Sequence, residues 1–579
     1  MRSFLFTIIA LSVFILFTYS HETRMVKDEW LDEPLSVAAI YDSASVWVDS
    51  VFAIIPPHYS IPIYCFWLTV DPVDDRLAYN KIRDLIEDYQ PGGVLFLSIK
   101  AERLVEAIND LQSVSKLPLL VSLDAEHGVA MRIKEAVEFP RAMTLGAIRN
   151  DTLIYEMGLE IARQFAILGL HVNMAPVADV NNNPANPVIG MRSFGEDPAN
   201  VSRKSVAYMQ GLQDGGIMAV GKHFPGHGDT DTDSHLALPL VNHSRKQLDS
   251  ADLVSFRALI EAGIWGIMTA HIEVPALESK KGVPASFSDK VVEGLLRDEL
   301  GFEGLIITDA VNMQGAKVMG KAGEIDAKAL IAGNDIVEFS EDLPAAIAAV
   351  ESAISESLIS WSDIERKCRR SLAFKYWLIE RRVETDVDAD KLVESINSDE
   401  ALSLNQRLYN SAVTVLKNED AFFSISEIPV NYAAVILGQA PELEAYYRNK
   451  DIPVYILPMN DNQAFIASIE RLSQYDGYIM VVADSNWGRR AVNSAARSML
   501  AKLLGKGNSL FVYLGMPYHL SAWKEAKNAR GVVMSYQNNE AARQAIVSFL
   551  SRETGADGIL PVTIDGWYPV GSGIVVEYK

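Results

Sequence analysis

From about Ile61 to Phe339, short apolar runs alternate with stretches whose apolar residues recur at helical spacing. The apolar runs are IYCFWL from Ile63, GGVLFL at Gly92, PLLVSLD at Pro118 and LHVNMAP at Leu170. MAVGKH at Met218, WGIMTAH at Trp265, GLIITD at Gly304 and DIVEF at Asp335 complete the set. Between them lie segments such as YNKIRDLIEDY and DTLIYEMGLEIARQFAILG, the latter ending at Gly169, a good helix stop. Strands that are apolar throughout are buried on both faces, and their alternation with helices predicts parallel βα units. Eight such runs predict an α/β chain that begins with a (β/α)8 TIM-type barrel.

The stretch from Ser360 to Asn405 is charged and helical in pattern. Beyond it a second βα series reads YAAVILG, PVYILP, GYIMVVA, SLFVYLG and GVVMSY, which predicts a smaller α/β sandwich domain. Gly438 is followed by Gln-Ala-Pro, so no glycine-rich phosphate loop opens this series. The expected division is a barrel over 30–385, a linker over 386–405 and the sandwich over 406–579.

Charge narrows the partners. A formal net charge of −23 argues against nucleic acid and against docking on anionic lipid. Of two cysteines, Cys65 lies in an apolar run and reads as a small buried hydrophobe, and the pair has no metal or redox spacing. Arg2, the apolar run Phe4–Phe17 and the small residues ending at Ser20 have the layout of a signal peptide over 1–20, with an uncleaved anchor as the alternative. Either reading predicts an exported protein, periplasmic or extracellular, with no stable membrane insertion once a signal is removed. A monomer or weak homodimer is expected.

In such a barrel, chemistry gathers at the C-terminal ends of the strands. There the sequence places Asp124 after the third run, Lys222 and His223 in the fifth, His271 after the sixth and Asp309 after the seventh. A strand-end aspartate can also be a helix cap, but several ionisable residues at one mouth point to a site. The segment KHFPGHGDTDTDSH, Lys222–His235, could suggest a metal. Pro225, Gly226 and Gly228 forbid the helix that would pair His223 with His227. Ser234 and Leu240 stand where a calcium loop needs Gly and Glu. No metal and no cofactor is expected; the segment reads as a loop that closes over the mouth. Asp233 and His235, two apart, would point the same way in extended chain, so the carboxylate could fix the imidazole tautomer for proton transfer. A pair merely dissolved in solvent is the plain alternative.

At these residues the sequence resembles glycoside hydrolase family 3, in its two-domain β-N-acetylhexosaminidase branch. The matching stretches are GVLFL, SLDAEHGVAMR, NMAPVADVN, NPVIGMRSFGEDP, AVGKHFPGHGDTDTDSHLALP, MTAHIEVPAL and GLIITDAVNM. The resemblance implies a retaining exo-β-N-acetylglucosaminidase acting on cell-wall fragments or chitin oligosaccharides. It implies Asp309 as nucleophile, His235 with Asp233 as acid/base, and Asp124, Arg192, Lys222 and His223 as ligands of the sugar. Arg132 and His271 would support them. If adjacent Lys222 and His223 both meet sugar, the backbone between them must leave regular strand geometry, for example through a cis peptide. A β-glucosidase or β-xylosidase of the same family, or a phosphorylase with phosphate as acceptor, is the alternative. Two departures stand out: His127-Gly128 where relatives carry Gly-Gly, and Met191 before Arg192.

Overall fold

The structure is a computed structural model that describes residues 36–54, 65–71, 75–380, 391–424, 431–458, 461–484, 494–505 and 508–578. The expected signal segment, the start of the first apolar run and the first residues of the expected linker lie outside these residues.

Eight parallel strands follow one another in the barrel: β1 Phe66–Val70, β2 Gly93–Phe96, β3 Leu120–Leu123, β4 Val172–Asn173, β5 Met218–Phe224, β6 Gly266–Thr269, β7 Leu305–Thr308 and β8 Val337–Glu338. Each predicted apolar run supplies one of them. Their order is β7-β6-β5-β4-β3-β2-β1-β8, and the two ends meet where Ile307 bridges Ile336 and the Thr308 N–H donates to Ile336 O at 3.0 Å. The strands are almost entirely buried because helices cover their outer faces, which is why the runs show no alternation.

The end of the barrel where the strands begin is sealed. Helix Val37–Ile54 packs on helix Trp361–Glu380: Tyr41 meets the Phe374 ring edge-on at 5.8 Å and donates to Glu303 O at 2.7 Å. Trp265 packs on Trp377 with ring centroids 4.5 Å apart. Both cysteines are buried there and not joined in a disulfide, their sulfurs in contact at 3.9 Å. Among the described residues, the ionisable side chains Asp124, Lys222, His223 and Asp309 gather at the opposite end, where the strands finish.

Among the described residues the second sheet has six strands, not the five read from sequence. In addition to β10 Tyr432–Gly438, β11 Val454–Leu457, β12 Gly477–Ala483, β13 Ser509–Leu514 and β14 Gly531–Ser535, the segment β9 Thr414–Asn418 pairs antiparallel with β14. The order is β11-β10-β12-β13-β14-β9. This mixed sheet docks on the barrel through specific contacts. Gln537 Oε1 accepts from the Arg141 N–H and the Thr144 hydroxyl. Thr563 donates to Glu196, and the Glu196 N–H donates to Pro561 O. Gly195 has φ 138°, and a Cβ there would overlap the Pro561 carbonyl, so this approach requires glycine.

Candidate active site

The mouth of the barrel holds a network of buried charges. Lys222, on β5 and 3% exposed, donates to Asp124 Oδ1 at 2.7 Å and lies 3.0 Å from Glu126 Oε1. Arg132 donates to the other Asp124 oxygen at 2.5 Å. Arg192, in the short turn Gly190–Arg192, grips Glu126 with Nε and Nη2 at 2.9 and 2.7 Å. Burial alone would push these carboxyls up, but the cations outweigh it. Lys222 and Arg132 hold Asp124 below the usual carboxylate range, while Arg192 and Lys222 hold Glu126 well below it.

The Lys222–His223 peptide is cis, and the two adjacent side chains join one network. His223 Nδ1 is 2.7 Å from Asp179 Oδ2, and its Nε2 faces Arg192 Nη2 at 3.3 Å. Guanidinium can only donate, so Nε2 accepts and the ring carries its proton on Nδ1. Asp179 is fully buried and also accepts from the His227 N–H at 2.7 Å. Burial raises its carboxyl, but His223 and His227 draw it below the usual range.

Asp309 follows β7. Its N–H donates to Thr269 O at 2.9 Å, and Oδ1 accepts from the Ala310 N–H at 2.8 Å. His271 Nε2 lies 3.2 Å from both Asp309 O and Ala310 O, and Nδ1 lies 2.7 Å from the Ser286 hydroxyl. Two carbonyls at Nε2 require the proton there, so Nδ1 accepts from Ser286. Burial keeps His271 below the usual imidazole range. Burial pushes the Asp309 carboxyl up, while His223, His271, the Ala310 N–H and Lys222 outweigh it and keep it low. A half-buried carboxylate held ionised, with one oxygen accepting from the Ala310 N–H and the other without a hydrogen-bond partner among the described residues, is suited to nucleophilic attack.

The loop after β5 reaches across to this aspartate. A Cβ at its root, Gly228, would overlap the Val180 carbonyl, so only glycine allows that contact. At its tip Ser234 is held twice: its hydroxyl lies 3.2 Å from His227 Nε2, and its carbonyl accepts from the Gly315 N–H at 3.1 Å in the segment after Asp309. Asp233 and His235 flank that anchor. His235 Nδ1 donates to Asp233 Oδ1 at 2.7 Å, and Nε2 has no hydrogen-bond partner among the described residues. The imidazole is 63% exposed, so it stands at the rim of the mouth, not inside it. The loop returns through Val241, whose N–H donates to Glu273 O, and through His243, clamped between Asp229 and Asp252 at 2.7 Å each. Among the described residues no cluster of His, Cys, Asp and Glu is arranged to hold a metal ion.

Asp124, Arg192, Lys222 and His223 thus form one bonded cluster, the Asp233–His235 pair forms a second, and Asp309 lies within electrostatic reach of the first. Sequence reasoning missed Glu126, which ties Arg192 to Lys222, and Asp179, which orients His223. A signal was present for both: a carboxylate shortly after the third and fourth strands. It also missed the second domain's approach, where Tyr518 accepts from Asn181 Nδ2 at 2.7 Å.

A (β/α)8 barrel carrying paired acids and histidines at its strand ends is an enzyme architecture of the glycosidase kind. The sequence profile of the glycosyl hydrolase family 3 N terminal domain matches residues 71–373, more than half of the chain. The chain belongs to that family. It is 37% identical over 279 residues to the β-hexosaminidase A of Pseudoalteromonas piscicida, covering 44% of this chain and 47% of that one. It is 34% identical to the β-hexosaminidase of Methylobacillus flagellatus, covering 47% and 79% respectively. The match therefore spans about half the length of the first relative and about four fifths of the second. Among solved structures, the family 3 β-N-acetylglucosaminidase of Paenibacillus sp. str. FPU-7 superposes with a TM-score of 0.73 at 26% identity, over 88% of this chain and 99% of that one. Among the described residues no helix is long and apolar enough to cross a membrane.

Proposed function

We propose that this protein is a retaining exo-β-N-acetylglucosaminidase that removes terminal β-linked N-acetylhexosamine from oligosaccharides. The observation that carries the reading is the bonded Asp233–His235 pair on the β5 loop, whose tip is tied to the segment following Asp309. The relatives named β-hexosaminidase support the sugar.

The chemistry proceeds in two displacements. Asp309 attacks the anomeric carbon as the bond to the leaving oxygen breaks, and His235 gives that oxygen its Nε2 proton. Asp233 stabilises the imidazolium beforehand and holds the ring through Nδ1. Water then attacks the glycosyl-enzyme, its proton passes to His235 Nε2, and Asp309 leaves as the carboxylate. Asp124, Arg192, Lys222 and His223 hold the sugar whose bond is broken.

The signal-like segment 1–20 supports export to the periplasm or exterior, and with it cell-wall fragments or chitin oligosaccharides as substrates. We place the module boundary within 386–405 and expect a monomer or weak homodimer. Hydrolysis of 4-nitrophenyl β-N-acetylglucosaminide and of the β-glucoside, side by side, tests the reading. The account expects the acetamido sugar to be cleaved much faster, and Asp309→Ala to lose on the order of 10³-fold or more. Prompt cleavage of the glucoside alone would overturn the sugar assignment, and full activity of the alanine variant would remove Asp309 from its role.

A further inference from the structure

Four carboxylates at the barrel mouth each have a donor. Asp124 has Lys222 and Arg132, Glu126 has Arg192 and Lys222, Asp179 has His223, and Asp309 has the Ala310 N–H. Glu338, the last residue of β8, is different. It is 4% exposed, and its Oε2 is buried with no hydrogen-bond partner among the described residues.

Strand register fixes where it stands. Ile307 bridges Ile336, and past that bridge the Glu338 N–H donates to the Thr308 hydroxyl while Glu338 O accepts from the Val311 N–H, so Glu338 lies beside the turn that carries Asp309. On its other side Glu338 pairs with Trp67, Trp67 with Gly93 and Gly93 with Leu120. Leu120, Ser122 and Asp124 alternate onto the face that carries Glu338. Glu338 therefore faces inward, in the ring of residues that also presents Asp124 and Asp309.

Its surroundings agree. Burial, then Asp124 and Asp309, push the Glu338 carboxyl well above the usual range, and Lys222 and Arg132 only partly offset them. The Trp67 indole is its cross-strand neighbour, but that Nε1 lies 3.0 Å from the position a Cβ on Gly93 would take, turned toward β2 and away from β8. The chain leaves the strand abruptly, with Phe339 at φ 60°. That conformation is rare for a bulky residue and collects at binding sites.

We propose that Glu338 is a specificity-determining residue of the sugar site that works as a neutral carboxylic acid, donating its O–H to a hydroxyl of the ring held by Asp124. The proposal rests on the assignment of this mouth as a sugar site. A third carboxylate ion beside Asp124 and Asp309 would repel both. A neutral acid avoids that repulsion and supplies a donor, and a sugar hydroxyl is the acceptor the mouth is built to receive. A buried donor of this kind makes a site reject the analogue that lacks the hydroxyl.

The test uses the full chain, Glu338→Gln and Glu338→Leu, with 4-nitrophenyl β-N-acetylglucosaminide and its 3-, 4- and 6-deoxy analogues. The readout is kcat/KM, with thermal unfolding checked for each variant. Glu338→Gln keeps a donor and should stay within about fivefold of wild type. Glu338→Leu should lose about 10- to 100-fold on the parent sugar and almost nothing on one deoxy analogue. Equal losses across all four sugars, or full activity of the leucine variant, would overturn the proposal. Failure of the wild type to cleave the parent would instead sink the sugar assignment. In that case the same comparison is run on whichever glycoside the wild type cleaves.

Discussion

Removing the Lys222 ammonium should unsettle the barrel mouth by a calculable amount. Lys222 is 3% exposed and bridges Asp124 and Glu126, with Nζ 2.7 Å and 3.0 Å from the nearer oxygens. Hydrogen bonds to charged groups are each worth about 1.5–3 kcal/mol, so Lys222→Met removes two bonds of that class. Arg132 still neutralises Asp124 and Arg192 still neutralises Glu126, so neither carboxylate is left bare. Because both carboxylates keep a cation, the expected loss sits at the low end of the sum of those two bonds, about 3 kcal/mol at pH 7. The pH dependence has a definite sign. Both carboxyls are held below their usual range in the native protein, so the stability they contribute is present above the unfolded pKa of about 4 and lost as pH falls through the folded value. In the variant their native pKa values rise. The variant's native state then takes up protons at higher pH than the wild-type native state does, and the gap to wild type narrows as pH falls. Urea unfolding at pH 7, 5 and 4, followed through the barrel's tryptophans, reads this directly. A loss under about 1 kcal/mol at pH 7, or a gap that widens toward pH 4, would refute the reasoning.

His235→Ala should lose about 10²- to 10⁴-fold on substrates with poor leaving groups and far less on the initial cleavage of activated aryl glycosides, which need no protonation; equal losses in kcat/KM would make His235 a positioning group instead. His243 faces Asp252 and Asp229 with both ring nitrogens, and although burial lowers its pKa, the two carboxylates outweigh that and raise it. The stability it contributes is full below the unfolded pKa of about 6.5 and is lost as pH rises through the folded value, so His243→Gln should lower the melting temperature more at pH 6 than at pH 9; a larger drop at pH 9 would contradict this. Lys375 is buried without a partner for its ammonium among the described residues, and burial pushes it down to about 7. Between pH 7 and 10 this lysine binds more protons in the unfolded chain than in the native one, so its cost to wild-type stability should shrink as pH rises. Lys375→Met should be the more stable protein, with the largest gap in melting temperature at or below pH 7; a gap that grows toward pH 10 would exclude the account.

The barrel was legible because its strands are buried on both faces. Runs such as GVLF and LIIT are buried along their whole length, and the spacing of such runs left few other architectures. The ends of those strands were also legible, since Asp124, Lys222, His223 and Asp309 are ionisable residues set against apolar runs. The strand Thr414–Asn418 was not. It is a short edge strand directly after helix Asp399–Ala412, and its TVLKN pattern carries no alternation long enough to read. Glu126 and Asp179 were harder for another reason: they act through Arg192 and His223, and partners distant in sequence leave no local pattern. Glu338 was hidden inside DIVEF, which read as one more apolar run. Only its place beside the turn that carries Asp309 gives its carboxyl a meaning.

The central claim is a covalent sugar on Asp309, and an activated 5-fluoro-N-acetylglucosaminyl fluoride probes it most directly. Its fluorine slows both displacements, and its fluoride leaving group lets the first outrun the second. Intact-mass measurement followed by peptide mapping should find one sugar per chain, on the peptide containing Asp309, and none on Asp309→Ala. Labelling elsewhere, or turnover with no trapped sugar under the same conditions, would contradict the account.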